Sequence, residues 1–110
     1  MKILVTLRAD DVAPRFDLCT EVLIVDTSGG KAGPELRNVL LTGPSGDELC
    51  SLILKENIGT VVCGGIEESF FQYLLWKKVK VIDRVIGPSS KALELTLEGR
   101  LQPGVVISDS

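Results

Sequence analysis

The run KILVTL at positions 2–7 limits the fold more than any other stretch of this chain. It is apolar at nearly every position, so it does not suit a strand with one wet face. It reads as a central strand covered on both sides. EVLIVD at 21–26 repeats the pattern, and ELRNVLLT at 35–42 supplies a third strand that is more polar at its start. The turn-rich link TSGGKAGP and its short counterparts make an antiparallel meander of these three.

The texture changes at GPSGDELCSLILKENIG. Ser45 precedes Glu48 by three residues, the capping-box spacing, and Leu49, Leu52, Ile53 and Leu54 give a first helix its apolar face. Asn57 and Gly59 offer left-handed residues to end it. TVVC at 60–63 is a short β-branched strand stopped by Gly64 and Gly65. A second helix over 66–78 opens on Glu67 and Glu68 and closes on Lys77 and Lys78, matching the helix dipole, with Phe70, Phe71, Leu74 and Leu75 inward. Residues 79–82 form the last strand, and PSSKALELTLEGRL holds a third helix capped by Ser89 or Ser90 and stopped by Gly99. Three strands, then helix, strand, helix, strand, helix predict a mixed sheet centred on the first strand, with helices on both faces. Residues 1–102 read as one domain and 103–110 as a tail.

Composition narrows the function. With 110 residues the chain can bury a core without metal or disulfide. Its net charge of -3 and pI near 4.9 argue against a nucleic-acid partner. The opening residues match neither a signal peptide nor a membrane span, so a cytoplasmic protein is expected. Cys19, Cys50 and Cys63 make an odd count without CxxC spacing, which suits reduced thiols. The absence of histidine removes Ser-His-Asp and Cys-His catalysis and His-ligated zinc.

The first connection contains DDVAPRFDLC at 10–19, which brings together acids, a proline, an arginine, an aromatic ring and a thiol. That is longer and chemically more mixed than a tight hairpin needs, and it reads as one wall of a binding site. In open sheets ligands collect beyond the carboxyl ends of parallel strands, where neighbouring connections diverge. If 2–7 lies beside 60–63, residues 8–19 face the turn Cys63-Gly64-Gly65 and the start of the second helix. Cys63 is then the first candidate metal ligand, with a thiol expected to be acidified near the helix N-terminus, and Cys19 is the second. Each has packing in the core as its alternative, and packing is the expected role of Cys50.

Arg15 can pair with an anionic ligand or with Asp17, Asp10 or Asp11. Phe16 is a ligand contact or a staple over the core, and Pro14 stiffens the loop. Gly64 and Gly65 either present amides to an anion or make a turn that needs positive φ. Trp76 packs, or, if exposed, marks a partner surface. A two-magnesium nuclease built on Asp10, Asp11, Asp26 or Asp83 is disfavoured because the first strand carries no acid.

MKILVT, VAPRFD followed by EVLIVD, TVVCGGI and VIGPSSKALELTLEGRL occur in an order and spacing that resemble the nitrogenase accessory proteins of the NifX, NafY and NifB C-terminal type. The resemblance implies a three-layer α/β/α fold, ribonuclease-H-like, with a five-stranded mixed sheet. It also implies a non-catalytic carrier or scaffold for the iron-molybdenum cofactor or a related molybdenum- or iron-sulfur cluster, working with cofactor-assembly or acceptor proteins. Family members often have a histidine where this chain has Arg15, so a cluster here would rest on thiolates, carboxylates, backbone amides or cationic side chains. A module of the same fold that has lost the cluster and serves protein interaction or regulation is the alternative.

Overall fold

Successive side chains of a strand point to opposite faces, and the first strand buries both. In the computed structural model, which describes residues 1–29 and 33–108, β1 (Lys2–Arg8) sends Ile3, Val5 and Leu7 into one apolar cluster and Leu4 into another. The chain continues through β2 (Asp11–Val12), β3 (Glu21–Asp26), β4 (Glu35–Leu40), α1 (Gly46–Lys55), β5 (Thr60–Val62), α2 (Glu68–Trp76), β6 (Lys80–Ile82) and α3 (Ser89–Leu97). The centre of the TSGGKAGP connector lies outside the described residues.

The sheet order is β4-β3-β1-β5-β6, with β2 off this path and paired to β1. β3 and β4 are antiparallel additions to one side of β1, while β5 and β6 are parallel additions to the other. The first strand is therefore central and the sheet mixed, as its uninterrupted hydrophobicity predicts. Leu49 and Ile53 of α1 and Leu74 of α2 close one face with Leu4, Val22 and Val61. Ala92 of α3, with Leu93 and Leu95, closes the other against Ile3, Val5 and Val25. The result is a three-layer α/β/α arrangement with a separate apolar core on each face of the sheet.

The helices are shorter than their sequence patterns, and their ends differ in detail. Ser45 caps α1 by accepting the Glu48 N–H at 3.2 Å, but the Glu48 carboxylate accepts from the Thr42 hydroxyl at 3.1 Å, so only half of the capping box forms. Asn57 ends the helix at φ 57°, the left-handed conformation expected of it. On α2, Leu74 is fully buried and Phe70 and Phe71 are half-buried, whereas Leu75 is 44% exposed. Leu75 lies about 100° around the helix from Leu74 and misses the narrow contact stripe. Neither Ser89 nor Ser90 caps α3: Pro88 holds the cap position, and both the Ser89 N–H and its hydroxyl donate to the Asp10 carbonyl. Gly99 ends α3 at φ 71°. The tail joins the Ile86 segment through Ile86 N–H to Val105 O at 3.0 Å and Ile107 N–H to Ile86 O at 2.7 Å.

The different burial of two adjacent leucines gives a direct check. Leu74→Ala is expected to destabilise the protein by about 2–5 kcal/mol in urea denaturation, and Leu75→Ala by no more than about 0.5 kcal/mol. Equal losses would contradict the placement of α2.

Candidate functional site

The first connection begins with the tight hairpin that its length argued against. Arg8 pairs with Asp11 and Leu7 with Val12, so Ala9 and Asp10 make the turn, with Ala9 at φ 54°. Leu7 also pairs with Glu21 of β3, so β2 lies on the opposite side of β1, just past the end of β5. From there the chain crosses the end of β5. Gly64 N–H donates to Ala13 O at 3.1 Å, Gly65 N–H to Pro14 O at 2.7 Å, and Phe16 N–H to Gly65 O at 2.8 Å. The other flank is held by Val12 N–H to Gly87 O at 2.9 Å and by the Ser89 contacts to Asp10.

This loop fills the crevice at the switch point. Gly64 and Gly65 adopt no positive φ, and their amides already have acceptors in the loop. Gly64 is required for a different reason: a Cβ there would lie 2.4 Å from Ala13 O and 2.6 Å from Pro14 O. A single 3-10 turn over Phe16–Leu18 then drives Phe16 into the core, fully buried and 5.8 Å from the Phe70 ring.

Open space remains on both sides of the loop, with a pocket of about 430 Å3 beside Val12, Val85 and Gly87 and a larger cleft on the β3 side of β1. This cleft of about 630 Å3 is lined by Arg8, Pro14, Arg15, Leu18, Cys19 and Glu21, among others. Thus Arg15 and Cys19 share a cleft, whereas Phe16, Cys63, Gly64 and Gly65 stand behind its wall. Arg15 is half-exposed and reaches Asp17 at 3.2 Å. Cys19 is 5% exposed, and burial, joined by the nearby Asp17 carboxylate, pushes its thiol from 9.0 up to about 11.

Cys63 is wholly enclosed in the cluster that includes Leu4, Phe16 and Leu74. Burial first, then Asp83 and Cys19, push its thiol up, which reverses the expected acidification: loss of water outweighs any help from the start of α2. Cys50 packs on α1, as expected, and burial with Asp47 raises its thiol to about 11. The sequence marked the stretch that holds Leu18 but not Thr20 or Glu21, which also line the cleft and which no local pattern singles out. Nor did it mark Thr6, whose buried hydroxyl has no hydrogen-bond partner among the described residues. Among those residues, no group of three or more Cys, Asp or Glu side chains is placed to hold a metal ion. No described helix is long and apolar enough to cross a membrane.

The family described as dinitrogenase iron-molybdenum cofactor matches residues 1–99. The chain belongs to that family. Solved structures with the same family fold include a candidate dinitrogenase from Methanocaldococcus jannaschii, at 22% identity and TM-score 0.73 over 93% of this chain and 92% of that one. A NifB candidate from Thermotoga, placed in the DUF35 family, matches at 19% identity and TM-score 0.73 over 99% and 98%. The apo form of the orange protein from Desulfovibrio gigas matches at 22% identity and TM-score 0.73 over 93% and 91%. No curated protein matches the chain significantly.

Two outcomes follow from this geometry. Gly64→Ala forces a methyl group into the loop backbone and is expected to cost about 1–3 kcal/mol, read as a lower urea midpoint. Because the folded state raises the thiol of Cys19, its contribution to stability is present below the unfolded value. It is lost as pH rises from 9.0 through about 11. The urea midpoint should fall across that window, and by less in Cys19→Val; equal falls would remove Cys19 as a source.

Proposed function

We propose that this protein is a non-catalytic cytoplasmic carrier. It holds an anionic metal-sulfur cluster, the iron-molybdenum cofactor or a related molybdenum- or iron-sulfur species, and yields it to a cofactor-assembly or acceptor protein. The cleft carries this reading. Its volume of about 630 Å3 falls within the roughly 300–1,000 Å3 of small-ligand sites. Two guanidinium groups, Arg8 and Arg15, line it, with the Cys19 thiol in its wall.

A cluster of this class brings its own sulfide ligands. It therefore needs charge, shape and one soft donor rather than the three or four side-chain ligands of a bare metal site. The exposed Arg15–Asp17 pair is worth only about 0–1 kcal/mol, so Arg15 can exchange its partner for an anion at small cost. Thiolate coordination by Cys19 costs more, because its proton must leave a buried site, and the metal must repay that loss. Phe16, Gly64 and Gly65 serve the site by holding its wall. Cys63 becomes a ligand only if residues 13–16 lift away from Gly64 and Gly65. Family membership supports a cofactor as cargo, and the absence of histidine removes the Ser-His-Asp and Cys-His pairs.

A second reading, a protein-interaction module of the same fold without a cluster, draws on the surface of α2. Trp76 is 73% exposed beside Tyr73, and Lys77 Nζ lies 4.5 Å from the centre of the indole ring. Anaerobic addition of a thiomolybdate or a synthetic iron-sulfur cluster, followed by desalting, separates the two. The carrier reading expects visible absorption that stays with the protein. Arg15→Glu should weaken retention by about tenfold or more, Cys19→Ser should shift the spectrum, and Trp76→Ala should change neither. Identical spectra for Arg15→Glu, Cys19→Ser and the parent would rule out this cleft as the cluster site.

A further inference from the structure

The two edges of the sheet are unequal. β6 has three residues, begins with Lys80, and leads into the Ile86 segment, which pairs with Val106 of the tail. β4 has six residues, with neither lysine nor proline among them. Strand edges left in that condition are templates for further pairing.

The register of β4 determines which of its backbone groups are turned outward. Leu41 N–H donates to Thr20 O at 2.8 Å, and β4 continues the same antiparallel pairing with β3. Hydrogen-bonded pairs alternate along such a ladder. Glu35, Arg37 and Val39 therefore bond to β3, while Leu36, Asn38 and Leu40 turn their N–H and C=O groups to an edge that pairs with no further strand among the described residues. The side chains of these same three residues lie on the α3 side of the sheet, where α3 packs over β1 and β2. Leu36 is consequently 57% exposed and Leu40 77%. Arg37, the one cation of the strand, lies on the other face and pairs with Glu56 at the end of α1, so it does not guard the edge.

We infer that a second copy of this chain pairs with β4 antiparallel, on a two-fold axis through Asn38, to make one continuous sheet across two protomers. A two-fold axis normal to an antiparallel pair passes between directly opposed residues, which leaves few registers. An axis at Arg37 sets two like charges against each other and spends one outward position on Pro34, which has no N–H. An axis at Val39 leaves Leu36 opposite Thr42, beyond the strand. Only the axis at Asn38 pairs all three outward residues with outward residues, for about six interchain hydrogen bonds. It also sets Leu36 against the partner's Leu40 on both sides of the axis and places Arg37 opposite the partner's Val39. The self-complementary pattern favours a second copy over a foreign strand.

Sedimentation equilibrium of the full chain tests this. The mass should rise with concentration from 11.9 kDa toward twice that value. Asn38→Pro removes an outward N–H and is tolerated at an edge; it should hold the protein at the lower mass with an unchanged circular dichroism spectrum. Leu36→Lys combined with Leu40→Lys should do the same if the proline variant fails to fold. Asn38→Cys should give a covalent dimer on mild oxidation, since the three native thiols are buried. A single protomer at every concentration overturns the inference. So do a dimer that survives the edge variants, an Asn38→Cys dimer that does not cross-link, or a dimer abolished by Trp76→Glu instead.

Discussion

Three hydrogen bonds between residues 13–16 and Gly64-Gly65 decide the form of the candidate site. They bind the first loop across the end of β5, in the position where an open sheet of this topology would leave a crevice. With that position filled by backbone, the candidate cleft lies on the antiparallel side of β1, and a smaller pocket lined by Val12, Val85 and Gly87 lies on the other. The residues that face it come from the hairpin end, the loop after Val12 and the start of β3. Gly64 makes the arrangement possible by having no side chain, rather than by adopting a special φ.

The two candidate sulfurs differ in access. Cys19 lines the cleft and Cys63 does not, although both belong to one apolar cluster with Phe16 and the Cys19 thiol helps to push that of Cys63 up. Both thiols are held protonated by burial, so neither is a standing anion that would bind stray cations. What the cleft offers at rest is Arg8 and Arg15, offset by Glu21 and by the Asp17 partner of Arg15, with one latent soft donor in Cys19. That combination suits capture of a preformed anionic cluster followed by its release, because no multidentate cage has to be dismantled.

Much of the fold was legible because hydrophobic periodicity reports burial directly. The unbroken apolarity of residues 3–7 required cover on two faces, and the structure supplies α1 and α2 on one face and α3 on the other. Leu75 was misplaced because an apolar letter at helical spacing does not tell how wide the contact stripe is. Of the candidate residues named from the sequence, Arg15 and Cys19 come to line one cleft, whereas Phe16, Cys63, Gly64 and Gly65 do not. DDVAPRFDLC announced itself by its chemistry, but residues 9–12 read as loop because the hairpin places Ala9, rather than Gly or Asn, at positive φ. The pairing of Ser89 with Asp10, nearly eighty residues apart, left no local mark; Ser89 looked like a helix cap because it sits where a cap would.

The central claim is that the cleft beside Cys19 and Arg15 carries a metal-sulfur cluster. Its most direct measurement is the metal content of the protein isolated from its own cells without exposure to oxygen. The account predicts molybdenum or iron, together with acid-labile sulfide, in a fixed ratio to the chain. Protein that emerges with neither metal nor sulfide, from cells actively assembling such cofactors, would contradict it.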